Sequence, residues 1–375
     1  MKVTTVPKPQ IRVAIVGLGN CASTLIQGLS HYRRNPDDTT GLMHHSLGGL
    51  SVGDIHIACA FDIDARKIGQ RVADAAFAPP NNSRIFCRDP EDDNAKVFAG
   101  PLGDGVAAHL ENFAEKQRAV VAPAAKTASH ASVVKILKDT GATCLINYLP
   151  VGSQKATEDY AAACLEAGIG MVNCIPVFIA SDPVWAQRFT DAKLPIVGDD
   201  VKSQFGATIT HRVLMALAEK RGIAIDSSYQ LNFGGNTDFL NMLDKGRLGS
   251  KKISKTQSVT SNVHKKKMDE TNIHIGPSDY VAFLEDKKVC YVRMNMRGFG
   301  GLPMELDMKL QVEDSPNSAG VVVDAVRCVT LAQKAGIGGP LEEASAFLMK
   351  RPAKQMEDDA ALAALEAWAM RGTAR

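Results

Sequence analysis

Apolar positions along the chain repeat with two periods, and the change between them divides the sequence. Residues 11–29, IRVAIVGLGNCASTLIQGL, begin as a short β-branched apolar run and turn through Gly17 and Gly19. Leu25, Ile26 and Leu29 then fall on one helical face, which predicts strand, glycine turn, helix. DIHIACAFDID (54–64), ATCLINYLP (142–150), GIGMVNCIP (168–176) and LPIVGDD (194–200) read as further short apolar strands. Helical segments separate them; SQKATEDYAAACLEAG (153–168) is one, closed by Gly168. Strands that are apolar on both faces and alternate with helices predict a parallel, doubly wound α/β sheet.

After residue 200 the pattern changes. ATITHRVLMALAEKRG (207–222) predicts a helix with Ile209, Val213 and Leu217 in register and Gly222 as its stop. SSYQLNFGG (227–235) alternates as a strand, and TDFLNMLDKG (237–246) is a short helix. KVCYVRMNMRGFG (288–300) and PMELDMKLQVED (303–314) alternate with period two, as antiparallel strands with one exposed face. From Ser315 the chain is helical again. These shifts place an α/β unit at 1–200, an α+β unit at 201–314 and a helical return at 315–375. No internal repeat or low-complexity linker interrupts them.

Composition narrows the classes. The 375 residues carry a net charge of +2, so no global field favours nucleic acid or a membrane surface. No apolar run is long enough to span a bilayer, and the first ten residues do not read as a signal peptide. The eight cysteines form no Cys-x-x-Cys pair and mostly sit in apolar contexts, as reduced core thiols of a cytoplasmic protein. His44 and His45 are adjacent and would face apart, which argues against a metal pair there.

The turn GLGNCA carries the first candidate chemistry. Gly17 and Gly19 let backbone approach a pyrophosphate at a helix N-terminus, with Asn20 and Cys21 opening that helix and Ala22 at the third fingerprint position. Asp62 ends the second strand, where a ribose-binding acid belongs, but only after a long insertion. An acid there favours NAD over NADP. A capping or surface acid would have the same local sequence.

LGSKKISKTQS (248–258) raises a second question. Lys251 and Lys255 share a face on either regular structure, about 6 Å apart on a helix and about 13 Å along a strand. Eight Lys or Arg residues and no acid lie between Lys245 and Lys267. A solvated charge run would look the same. The stretch has no aromatics for stacking single-stranded nucleic acid, so a small phosphorylated ligand fits better. VGDDVKSQFGAT and NFGGNTDFLNM add Asp199, Asp200, Lys202, Ser203, Asn236 and Asp238 at strand ends, where ligands of open α/β sheets bind. Each of these acids would also serve as a helix or turn cap.

Together GDDVKSQFGATITHRVL, LNFGGNTDFLNML, SKKISKTQSVTSN, HIGPSDY and DSPNSAG, with LPVGS and PVFIASDPVWAQRFTDA, resemble the myo-inositol-1-phosphate synthase (inositol-3-phosphate synthase) family in its shorter bacterial and archaeal form. The similarity covers nearly the whole chain. It implies a Rossmann doubly wound parallel sheet with an inserted α+β catalytic and oligomerisation domain, a homotetramer, and tightly held NAD. It also implies redox-neutral conversion of D-glucose 6-phosphate to inositol 3-phosphate by oxidation, enolisation, aldol closure and reduction. By that resemblance Lys251 and Lys255 match paired active-site lysines and Lys350 a further one, with Lys251 also near the cofactor. Asn236 and Asp238 match a polar turn facing substrate and nicotinamide. Asp200 and Ser203 match positions near nicotinamide and phosphate, Asp314 an acid of the same cleft, and Tyr160 a residue approaching the cofactor. Asp200 and Asp314 could share a divalent metal. The family carries a lysine between its two late strands, near Leu302 and Pro303 here, and this chain has none there, which leaves Arg297, Lys309 or another residue to replace it. The alternatives are a dehydrogenase or cyclase acting on another sugar phosphate, or a ligand sensor; the intact lysine set argues against the sensor.

Overall fold

The computed structural model describes residues 11–91, 94–247, 249, 258–259 and 269–373. Two sheets organise them. The larger has seven parallel strands: β1 (Ile11–Val16), β2 (Ile55–Asp62), β3 (Val97–Ala99), β4 (Cys144–Asn147), β5 (Gly170–Asn173), β6 (Pro195–Val197) and β11 (Gly339–Pro340). Their order is β11-β6-β5-β4-β1-β2-β3. The chain winds outward from β1 to β3, then crosses back to β4 and winds the other way. The carboxyl ends of β1 and β4 therefore diverge into separate connections and open a crevice between them.

Alternation along β1 shows why this sheet needs cover on both faces. Ile11, Val13 and Ile15 join one hydrophobic core, and Ala14 and Val16 join the other. The helix Asp314–Lys334 supplies the apolar run Val321–Val323 to the first core, and β11 comes after it at the sheet edge. Gly170 on β5 allows this helix to approach: a Cβ there would lie 2.4 Å from Val329 Cγ1.

The smaller sheet has the order β10-β9-β7-β8, with β7 (Ala224–Gly234), β8 (Ile273–Tyr280), β9 (Lys287–Arg297) and β10 (Pro303–Glu313). β7–β9 and β9–β10 are antiparallel, as the period-two pattern predicts, but β8 runs parallel to β7. β3 and β8 were not expected from the sequence. β3 has only three residues, and β8 carries Gly276 and Pro277, which break any strand pattern.

The helix Ala207–Lys220 covers one face of the smaller sheet, with Ala207, Met215 and Ala218 packed on Cys290, Val292 and Met294. Its orientation departs from the expected register. Val213 and Leu217 are turned outward, 49% and 54% exposed, while the polar Thr208, His211 and Arg212 are buried.

Candidate functional site

The crevice at the carboxyl ends of β1 and β4 continues to the base of the smaller sheet. At its first end, Gly17 has φ +82, and its N–H donates to Phe61 O at 2.9 Å. A Cβ there would lie 2.7 Å from Tyr148 O, so only glycine fits this turn. Gly19 caps the helix Asn20–Arg34 without a side-chain cap, and a Cβ on it would meet nothing within 4 Å. A bare helix N-terminus facing open space suits an anion.

Asp62 lines this end, and its carboxylate accepts from the N–H groups of Leu18 (2.8 Å), Ile63 (2.7 Å) and Asp64 (2.9 Å). The acid thus braces the glycine turn as well as facing the cleft. Lys67, buried beside it, donates to Leu18 O at 2.6 Å, and burial draws its pKa down. Tyr160 lines the same end, its hydroxyl seated against Gly100, where a Cβ would lie 2.3 Å away. Burial pushes the Cys21 thiol up to about 12, so it stays protonated and is no nucleophile. The donors and the cradle fit a dinucleotide, and Gly17, Gly19, Asn20, Cys21, Asp62, Tyr160 and Ser203 line the space it would take.

At the other end the cleft is polar. Asn236 caps the short helix Thr237–Asn241, its Oδ1 accepting from Asp238 N (3.1 Å) and Phe239 N (3.2 Å). Asp200, with φ +60, accepts the Lys350 ammonium at 2.8 Å, and its carbonyl accepts the Lys350 N–H at 2.7 Å. Asp199 is not part of the cleft. Its buried carboxylate accepts from Asn173, Ile179, Ala180 and Ser181 and knots the turn that presents Asp200, and burial pushes its pKa up to about 6.

Lys288 completes this end and was missed in the sequence. Its ammonium donates to Asp314 at 3.1 Å and lies 5.8 Å from the Phe239 ring. Burial lowers its pKa, but Asp314 and then Asp238 outweigh that and the net shift is upward. Of the two residues named to replace the lysine missing at the β9–β10 junction, neither lines the cleft. Arg297 pairs with Asp226 and Lys309 lies over Tyr291, both on the outer face of the sheet, away from the cleft. Lys288 stands two residues before Cys290, in phase with Cys290, Val292, Met294 and Met296 of the buried face. A charged residue in phase with an apolar stripe was the available signal.

Asp286 was also missed. It is buried beneath the cleft and accepts from Asn20 (3.0 Å), Asn236 (3.2 Å) and the Ser315 hydroxyl (2.7 Å). One carboxylate therefore ties the glycine-turn helix, the Asn236 turn and the start of the helix Asp314–Lys334. Burial pushes its pKa up to about 6 against the donors that hold it down.

Gly17, Gly19, Asn20, Cys21, Asp62, Tyr160, Asp200, Ser203, Asn236, Asp238, Asp314 and Lys350 all line this one cleft. Lys251 and Lys255 lie outside the described residues. Asp200 and Asp314 each already hold an ammonium group, and among the described residues no three His, Cys, Asp or Glu side chains group as metal ligands.

The family model for myo-inositol-1-phosphate synthase matches residues 206–315. The inositol-3-phosphate synthase of Mycolicibacterium smegmatis is 51% identical over 362 residues, 95% of this chain and 97% of that protein. That of Corynebacterium glutamicum is 51% identical over 364 residues, 96% and 98% of the two. The crystal structure of Ari2 superposes with a TM-score of 0.79 at 32% identity, covering 98% of this chain and 100% of that one. Near-full-length identity at this level, with a glycine turn and acid-paired lysines in one cleft, leads to one conclusion: the chain belongs to the myo-inositol-1-phosphate synthase family.

Proposed function

We propose that this protein is an inositol-3-phosphate synthase, an intramolecular isomerase that cyclises D-glucose 6-phosphate to 1D-myo-inositol 3-phosphate with no net redox change. The observation that carries the reading is the meeting, in one cleft, of a glycine turn shaped for a dinucleotide with Lys288 and Lys350, each held by its own acid. The family is NAD-dependent, and NAD, when bound, supplies reversible oxidation at the sugar's C5.

The chain's own groups serve the ring closure. A ketone at C5 acidifies the C6–H, and the enolate that forms closes the ring on the C1 aldehyde. Each oxygen that gains negative charge needs a fixed cation beside it in a site poor in water. Asp314 keeps Lys288 protonated for this purpose, so Lys288 enters the reaction as a cation and proton donor rather than as a base. Asp200 orients Lys350, and Asn236 and Asp238 present the polar turn against which the sugar lies. Lys251 and Lys255, from the basic segment, join the phosphate and the reacting oxygens in this proposal. A divalent ion at Asp200 and Asp314 would share those carboxylates with Lys350 and Lys288, and no step is routed through one.

The same reading assigns 1–200 to NAD binding, 201–314 to catalysis and tetramerisation, and 315–375 to the return into the first unit. A homotetramer is proposed on the smaller sheet, whose outer face exposes Tyr229 and Tyr291. Among the described residues no helix is long and apolar enough to cross a membrane, and a cytoplasmic setting is proposed with the reduced thiols. Incubation with glucose 6-phosphate and substoichiometric NAD tests the activity. Inositol 3-phosphate in many-fold excess over NAD is expected; stoichiometric NADH would contradict it and favour a dehydrogenase.

A further inference from the structure

Arg212 is fully buried on the helix Ala207–Lys220, at a point where three segments meet. Its Nε donates to Asp358 Oδ2 at 2.9 Å. One terminal nitrogen donates to Ser258 O at 3.1 Å and to Gln355 Oε1 at 3.5 Å, and the other to Met356 O at 2.5 Å. A planar guanidinium fixes such a set of acceptors in direction as well as distance.

Two of the segments it joins lead to lysines. Gln355, held by Arg212, turns its amide N–H onto the backbone carbonyl of Lys350 at 2.9 Å. Lys350 is thus gripped from both sides, by Asp200 in front and by Gln355 behind. Lys202 reinforces the same corner, donating to Ala346 O at 2.7 Å and lying 3.5 Å from Asp358. Ser258, in the other segment, stands three residues beyond Lys255 in sequence, and the next residue, Val259, is buried in the core of the smaller sheet. Neither Arg212 nor Gln355 lines the cleft.

Stability alone does not account for this arrangement, since a buried ion pair is often no better than an apolar replacement of the same size. What it does supply is a fixed distance between two chain segments. We infer that Arg212 and Gln355 are positioning residues, which set Lys350 against the cleft and register it with the chain leaving the basic segment. The inference rests on the reading of Lys350 as a group that touches the substrate.

Gln355→Glu separates positioning from packing. It keeps an acceptor for Arg212 but removes the N–H that holds Lys350 O. The expected result is a kcat lowered about tenfold to a hundredfold, since small misplacements of reacting groups have effects of that size. KM for glucose 6-phosphate and NAD affinity should stay within about twofold of wild type, with thermal unfolding unmoved. Arg212→Lys, which keeps the charge and loses the fork, should also lower kcat at unchanged KM, with a lower Tm from the buried acceptors it leaves bare. A Gln355→Glu enzyme with wild-type kcat would overturn the inference, as would a kcat loss in that variant that merely tracks a fall in Tm. Lys350→Met is the control for the reading beneath. If it is inactive while Gln355→Glu is normal, only the positioning role falls; if it is active, both fall.

Discussion

Lys288 and Lys350 reach the cleft by different routes, each with its own carboxylate partner. Lys288 is largely enclosed, which disfavours its charge, and it stays protonated because Asp314 and Asp238 outweigh that cost. Asp314→Asn removes the larger support, so the Lys288 pKa should fall. The alkaline limb of the pH–rate profile should then move to lower pH; an unmoved limb would show that Lys288 does not act as a cation. Lys288→Met should lower kcat roughly a hundredfold or more, the usual cost of losing one group that stabilises a developing oxyanion. NAD titration on the same variant should be nearly unchanged. At Gly17 the backbone decides: Gly17→Ala must hold a Cβ at φ +82 against Tyr148 O, and should cost on the order of 1–2 kcal/mol of stability together with NAD affinity, read by thermal unfolding and titration. The glycine turn was legible because strand, glycines and helix succeed one another directly. Asp286 was not, since nothing local shows that an acid in the connection between β8 and β9 will be drawn under three distant segments.

At the scale of elements, strands were read more truly than helix faces. Apolar runs and period-two alternation placed β1, β2, β4–β7, β9 and β10, because a strand's faces follow from parity alone. The helix Ala207–Lys220 was placed correctly and rotated wrongly. Its apolar stripe of Val213 and Leu217 points outward, and its buried face carries His211 and Arg212, whose partners are long-range. His211 sits between Ser228 and Gln230, and burial draws its pKa down to about 4. The unfolded chain therefore binds a proton that the folded chain refuses between about pH 6.5 and 4, so this group makes stability fall as pH falls through that window. Asp199 and Asp286, both raised to about 6, act in the opposite direction between about pH 4 and 6. Comparison with His211→Gln isolates the histidine: the wild type should lose on the order of 3 kcal/mol relative to the variant on going from pH 7 to pH 4, measured by denaturant unfolding. Parallel pH curves would exclude it.

For the whole molecule, the arrangement of two sheets explains why the cofactor turn and the acid–lysine pairs share one cleft. The helix Asp314–Lys334 begins beside Lys288, at the end of the smaller sheet, and runs back into the core of the larger one. Asp286 locks the same junction from below. The outer face of the smaller sheet carries Tyr229 and Tyr291 among the ion pairs of Arg293 and Arg297. Tyr291→Glu, at a position 42% exposed on β9, should shift light-scattering mass from the proposed tetramer to smaller species; an unchanged mass would place the interface elsewhere. The central claim is that oxidation at C5 is temporary and is reversed on the same molecule. Glucose 6-phosphate carrying deuterium at C5, turned over with catalytic unlabelled NAD, tests it by mass spectrometry of the product. The account predicts inositol 3-phosphate that retains the deuterium on nearly every molecule. Product without the label, or label collecting in free reduced cofactor, would contradict it.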